Sequence, residues 1–172
     1  MTRSLLADAF GHHVWATRRL IDACQALEGG QVEATATGTY GSILDTLRHL
    51  VGADASYLNV LSGGTFPRVP DAEEASMDLA GLRAEMDTHG DAWAAVLAQD
   101  PDPDAVLVRH RDDGSESHAP AGIRLAQALH HGTDHRSQVC TILTSLGVQP
   151  PDIDVWDYAW ADGRLVEVPA PA

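Results

Sequence analysis

The chain has few cysteines and no long apolar run, and each shortage excludes a class of protein. Cys24 and Cys140 lie far apart, each in an apolar helical pattern, so we expect two buried thiols rather than a disulfide or a nucleophile. A transmembrane helix is excluded because it needs about 18 or more consecutive apolar residues. The N-terminus also lacks the apolar core of a signal peptide, which predicts a cytoplasmic location.

Basic residues are scarce as well. The sequence has 11 basic against 25 acidic residues, a formal net charge of −14. Phosphate backbones and anionic lipids would repel such a chain, so we expect neither nucleic acid nor membrane as a partner. The length of 172 residues suits a single domain over residues 1–172, large enough to bury about 70% of its unfolded surface.

Helical periodicity dominates the rest of the sequence. Four long segments carry apolar residues at helical spacing and are bounded by glycine or proline signals. Ser42-Ile43-Leu44-Asp45 resembles a capping box at the start of the second segment. The pattern predicts an all-α four-helix bundle over about residues 3–147, with helices near residues 3–27, 42–62, 76–99 and 120–146.

Two segments lie outside this helical pattern. A strand-like run ends at Arg109 and is followed by Asp113-Gly114, which predicts a small β-hairpin before the last long helix. The tail over residues 148–172 is aromatic, and we expect it to pack back on the bundle because exposed indoles form a sticky patch. The acidic residues 71–74 are expected in a solvated loop.

His131 and His135 are the most informative residues of the chain. Four residues apart on a helix, their side chains lie one turn above each other, about 6 Å apart at their roots, so both can reach one metal ion. On a helical wheel they lie on the flank of the apolar face, whereas His130 and Asp134 point to solvent. Two partly buried, hydrogen-bonded histidines are the alternative interpretation.

His49 is the candidate for a third ligand. It lies on a flank of the second helix with small residues that leave room for a cavity, and Asp45, one turn earlier, could orient its ring. A surface or interface histidine is the alternative. Three neutral nitrogen ligands leave metal positions open for water or substrate, as in reactive sites.

Asp54 lies near the centre of the apolar stripe of the second helix. A buried carboxylate needs a partner such as Arg18 or Arg136, so it is either half of a buried ion pair or a catalytic general base. His13, on the apolar side of the first helix, is either a satisfied core histidine or a proton carrier for the site. His12 lies on the flank of the same helix and has the same two interpretations. The histidines at 89, 110 and 118 are expected at the surface or in loops.

Residues 12–20, 47–50 and 131–138 together resemble the DinB family, also called DinB/YfiT-like proteins, and the resemblance covers nearly the whole chain. Its most specific part is the ending His-x-x-x-His-Arg-x-Gln. The resemblance implies a metal site formed by His49, His131 and His135 at one end of a four-helix bundle. Many relatives have asparagine at the position of His13 and glutamate where this chain has Asp54.

The resemblance also suggests functions. Related proteins include transferases and isomerases that depend on mycothiol or bacillithiol, so it implies a thiol S-transferase with a small-molecule substrate. It further implies a homodimer and one divalent ion, Zn²⁺ or Ni²⁺ first and Fe, Mn or Co as alternatives. A metal-dependent hydrolase or isomerase, a non-catalytic metal-binding stress-response protein and a helical dimerisation module without metal are the other hypotheses.

Overall fold

The computed structural model describes residues 4–170, and its architecture is a bundle of four long helices, as the periodicity predicts. Two short helices, a 3-10 turn at Gln31–Glu33 and a β-hairpin connect or extend the bundle. In chain order the elements are α1 Leu5–Cys24, α2 Ile43–Leu61, α3 Asp71–Ser76, α4 Leu79–Ala98, β1 Val106–His110, β2 Glu116–Pro120, α5 Ala121–Ser145 and α6 Val155–Ala161.

Side-chain caps determine where three of the long helices begin. Ser4, Ser42 and Asp78 each accept a hydrogen bond from a backbone N–H in the first turn. The side-chain cap expected at Ser42 therefore forms, but the second half of a capping box does not, because the Asp45 carboxylate accepts from the Ser42 hydroxyl. The expected start of the first helix at residue 3 lies outside the described residues. The third long helix begins at Leu79 and not near Ser76, because Asp78 caps it.

The core lies between the four long helices. α1 packs on α4 and α5, and α2 packs on α4 and α5. Apolar residues three and four positions apart on each helix face this interior, which buries them from water. The largest fully buried side chains include Phe10, Leu20, Ile21, Ile43, Leu47, Leu50, Leu58, Leu82, Met86, Trp93, Ile142 and Leu143.

The predicted hairpin is confirmed. β1 and β2 pair antiparallel, with Val106 opposite Pro120 and His110 opposite Glu116. Arg124 of α5 donates hydrogen bonds to the carbonyl oxygens of Leu107 and Ser117, one on each strand. The hairpin is thereby tied to the start of α5 and lies beside α2.

The prediction that the acidic residues 71–74 lie in a loop is wrong, because residues 71–76 form the short helix α3. Pro70 precedes it, and acids at positions 71, 73 and 74 lie in its first turn. Negative charge there is favoured by the partial positive charge of a helix N-terminus. The helix places Glu74 partly buried against α2.

The aromatic tail packs on the bundle only in part. Tyr158 of α6 is buried against α1, where its ring lies 5.7 Å from that of Trp15. Trp156 and Trp160 remain 70% and 58% exposed, so the prediction that they pack against the bundle is wrong. A seven-residue helix has only one stripe to turn inward, and Tyr158 occupies it. No helix within residues 4–170 combines the length and the apolarity needed to cross a membrane.

Candidate metal centre

Three histidines meet where α2 packs on α5. His49 extends from α2, and His131 and His135 extend from one flank of α5. One ligand nitrogen from each ring lies within 4.8 Å of the other two. The Nε2 atoms of His49 and His131 are 3.1 Å apart. Two nitrogens bound to one tetrahedral zinc ion at about 2.0–2.1 Å are separated by about 3.3 Å, so this pair fits an ion with little adjustment.

The protonation of the rings also suits a metal. Burial, followed by the neighbouring His135 and His49, lowers the pKa of His131 to about 4. Burial and His135 lower the pKa of His49 as well. Both rings are therefore neutral near pH 7, and each offers a lone pair. A metal ligand must be in this neutral form.

Gln138 fixes the orientation of His135. The Nδ1 atom of His135 donates to Oε1 of Gln138 at 3.0 Å, which leaves Nε2 as the free nitrogen. The same oxygen accepts the backbone N–H of Tyr40 at 3.1 Å. A partner on the second ring nitrogen commonly orients metal-binding histidines. The i, i+3 spacing of His135 and Gln138 on one helix produces this contact.

Tyr40 covers the centre from the loop before α2. Its ring stacks on His49 with 4.2 Å between centroids and meets the edge of His135 at 5.3 Å. Tyr40 was not predicted as part of the site, although it lies just before Ser42, the cap of the helix that carries His49. Asp45 does not orient His49, contrary to expectation. Its carboxylate accepts from the Ser42 hydroxyl and lies 3.7 Å from Arg48.

Two cavities open beside the histidines. One, of about 480 Å³, lies between the start of α2 and α3 and is lined by His49, Tyr40 and Glu74, among others. The second, of about 310 Å³, is bordered by two of the three candidate ligands, His49 and His131. Its other lining residues include Tyr57, Arg68, Glu74 and Arg109. A small molecule therefore has access to the histidine group.

A model of the DinB family matches residues 1–167. The chain belongs to the DinB family. A search of curated proteins finds no match. The predicted bundle and the predicted family are thus confirmed. The three-histidine group of this DinB protein could hold a metal ion.

A second polar group of this DinB protein lies inside the bundle and centres on Asp54, which is 2% exposed. Its Oδ1 accepts from His13 Nε2 at 3.1 Å, and its Oδ2 accepts from His89 Nδ1 at 2.8 Å and Trp93 Nε1 at 2.9 Å. Arg136 donates to Nδ1 of His13 at 3.1 Å. We call these five residues the Asp54 cluster. It links all four long helices.

The direction of the hydrogen bonds in the Asp54 cluster follows from Arg136. Burial lowers the pKa of Arg136 only to about 10, so it stays charged and can only donate. Nδ1 of His13 must then accept, and Nε2 carries the proton given to Asp54. Burial opposes the charged form of Asp54, but interactions with His13 and then His89 outweigh it, so its pKa lies well below the usual range.

This cluster corrects two expectations. Asp54 does not pair directly with Arg18 or Arg136: Arg18 bonds to Asp87 and nearby carbonyls, and Arg136 acts through His13. His89 is fully buried rather than at the surface. Its spacing from Met86 and Trp93, three and four residues, was the signal that places it on the inner face of α4.

The catalytic roles predicted for Asp54 and His13 stay predictions. Neither residue belongs to the group of ligand atoms that converge at the three histidines. Both are connected to that group through α5, because Gly132 and Arg136 face the Asp54 cluster while His131 and His135 belong to the histidine group. The contacts of Asp54 and His13 support a role in holding α5 in position.

Proposed function

We propose that this DinB protein is a divalent-metal-dependent enzyme acting on a small molecule, and more specifically an S-transferase that uses a low-molecular-weight thiol. One observation carries the proposal: two of three convergent imidazoles form part of the wall of a cavity of about 310 Å³. Three protein ligands with adjacent space are typical of reactive sites, whereas structural zinc sites are closed by four.

His49, His131 and His135 would hold the ion, with Zn²⁺ or Ni²⁺ first and Fe, Mn or Co as alternatives. A divalent ion held there would supply the Lewis acidity that lowers the pKa of a thiol or of water. Gln138 keeps His135 aimed at the group. Tyr40 shields His49 and His135 from solvent on one side, which leaves the cavity as the approach for substrate.

The thiol in this proposal comes from outside the chain. Neither cysteine lines the cavity beside His49 and His131. Burial raises the pKa of Cys24 to about 12 and also raises the pKa of Cys140, so both resist becoming thiolates. A transferred thiol must therefore enter as a substrate or cosubstrate.

Metal content tests the first part of the proposal. We expect about one divalent ion per chain in the purified wild type and a large loss in His135→Ala, because three imidazoles are needed to hold the ion. His130→Ala is the matched control, since His130 lies on the same helix but is exposed. Elemental analysis measures all three proteins. Equal metal content in wild type and His135→Ala would contradict the site.

Cobalt substitution tests the thiol. Thiolate sulfur binds borderline metals well, so a thiol added to the Co²⁺ protein should change its visible spectrum. His131→Ala should lose this response together with most of the metal, while His130→Ala should keep it. A spectrum that ignores every thiol but shifts with hydroxide or carboxylate would favour a hydrolase. Insensitivity to all of these would favour a non-catalytic metal-binding protein.

We also propose that the protein is a homodimer. The proposal rests on the family and on the large apolar side chains that one chain leaves exposed. Trp156 and Trp160 of α6 are the largest of these, and exposed apolar patches commonly mark interaction sites.

A further inference from the structure

The hairpin directs one arginine toward the histidine group. Side chains of β1 alternate, so Val106, Val108 and His110 are exposed while Leu107 and Arg109 face the helices. Arg109 consequently lines the 310 Å³ cavity together with His49 and His131. The hydrogen bonds from Arg124 to both strands hold the hairpin, and therefore Arg109, in this position.

Arg109 has no protein partner among the described residues. Its Nε is buried without a hydrogen bond, and no carboxylate within residues 4–170 pairs with it. Other arginines around the fold are engaged: Arg68 pairs with Asp112, and Arg83 pairs with Asp22. The sequence contains no lysine that could supply a cation instead. Arg109 therefore extends from an anchored strand, and its guanidinium donors are free for a ligand.

An oxyanion satisfies such a guanidinium best. A carboxylate matches the planar fork of arginine with two parallel hydrogen bonds, and charge-assisted bonds of this kind are the strong ones. Three neutral imidazoles also leave the charge of a bound divalent ion uncompensated, which favours an anionic ligand in the same cavity.

The acidic residues that line the cavity favour a ligand with a single negative charge. Glu74 and Asp71 line the same cavity, and the Glu74 carboxylate lies directly against Gly52. These acids repel a doubly charged phosphate more strongly than a carboxylate. The volume of about 310 Å³ is at the small end of ligand sites.

We propose that Arg109 determines substrate specificity by binding the carboxylate of a small organic acid in the cavity beside the three histidines. This inference rests on the proposed function, because it names the substrate class of that same site. Arg68, half-exposed at the cavity, adds positive charge but is already paired with Asp112. Arg109 is therefore the anchor of the carboxylate.

Direct binding tests the proposal. The probe is propionate, which carries one negative charge, with its neutral counterpart propionamide and with inorganic phosphate, titrated at constant ionic strength into the metal-loaded and the metal-free protein. Calorimetry gives the affinity, and NMR follows the Nε–H signal of Arg109. We expect propionate to bind and move this signal, propionamide to do neither, and phosphate to bind more weakly than propionate.

Matched variants assign the effect to one side chain. Arg109→Gln should weaken propionate binding about tenfold or more, as expected for the loss of charged hydrogen bonds, and Arg109→Lys should restore part of it. Arg111→Gln is the control, because Arg111 lies just after β1 and bonds to Ser115 outside the cavity. Glu74→Gln should bind propionate at least as tightly as wild type, because one repulsive charge is gone.

Several outcomes would overturn the assignment. They are the absence of propionate binding, equal affinity in Arg109→Gln and wild type, an equal loss in Arg111→Gln, or tighter binding of phosphate. The metal-free arm separates this inference from the proposed function. Propionate binding that depends on Arg109 in a protein that retains no metal would refute the metal enzyme and leave the carboxylate site standing. A metal-loaded protein whose affinity for propionate is unchanged by Arg109→Gln would refute the carboxylate site and leave the metal enzyme standing.

Discussion

Gly132 is the glycine on which the metal centre and the Asp54 cluster both depend. It lies between His131 and His135, and its Cα faces the ring of His13. A Cβ at this position would meet His13 Cε1, would lie 2.5 Å from His13 Nδ1, and would lie 2.9 Å from Arg136 Nη1. Real Cβ atoms essentially never approach other atoms so closely, so Gly132→Ala must displace His13 or α5.

His13 cannot move without losing a hydrogen bond. It is 1% exposed, and both ring nitrogens are engaged, one by Asp54 and one by Arg136. Overpacking costs about 1–3 kcal/mol, and a lost charged hydrogen bond costs about 1.5–3 kcal/mol. The higher helix propensity of alanine offsets about 1 kcal/mol. We therefore expect Gly132→Ala to lower the free energy of unfolding by about 2–4 kcal/mol.

Urea unfolding of the metal-free protein measures this change, and the melting temperature should fall by about 5–15 °C for a chain of this size. Gly81→Ala is the matched control, since the nearest atom to its Cβ is 3.4 Å away, in ordinary contact. It should be neutral or stabilise by up to about 1 kcal/mol. In a His13→Asn background, with a smaller side chain, the cost of Gly132→Ala should shrink. A Gly132→Ala protein as stable as Gly81→Ala would refute the reasoning.

Two further predictions concern pH and assembly. The pKa of His131 is about 4 in the folded protein, against 6.5 for the free side chain. The unfolded chain therefore binds more protons than the folded chain between pH 4 and pH 6.5. The metal-free protein should lose stability as the pH falls from about 6.5 toward 4. Urea unfolding across this pH range measures the loss. If the free energy of unfolding of His131→Ala depended on pH as steeply as that of the wild type, the prediction would be contradicted. Light scattering should give a mass near twice 18.3 kDa at several concentrations, and Trp156→Ser with Trp160→Ser should reduce it. A wild type that stays at the mass of one chain would reject the dimer.

The long helices were predictable because their cause is local. Apolar residues recur at helical spacing, and Ser42 caps its own helix, so α2 can be located without knowing what it packs against. The helix α3 was missed for the complementary reason. It is six residues long and acidic, has no apolar stripe, and is held in part by its contact with α2.

The three histidines also differ in how far the sequence alone predicts them. His131 and His135 are paired by helical spacing alone, whereas His49, 82 residues before His131, was a candidate on its own helix that only the resemblance to the DinB family joined to the pair. For Asp54, burial required a partner, but the sequence could not indicate which one. Two histidines and an indole fill that role, and the arginine acts only through His13.

By itself, then, the sequence determined the four long helices, the hairpin, the family and the pairing of two candidate metal ligands, because each follows from short-range spacing or from a recognisable motif. Only the tertiary structure decided that His13 and His89 share the carboxylate of Asp54, that Tyr40 covers the centre and that Arg109 faces the cavity. These contacts join residues far apart in the chain. They depend on how α2, α4, α5 and the hairpin approach one another, and periodicity within one segment carries no information about that approach.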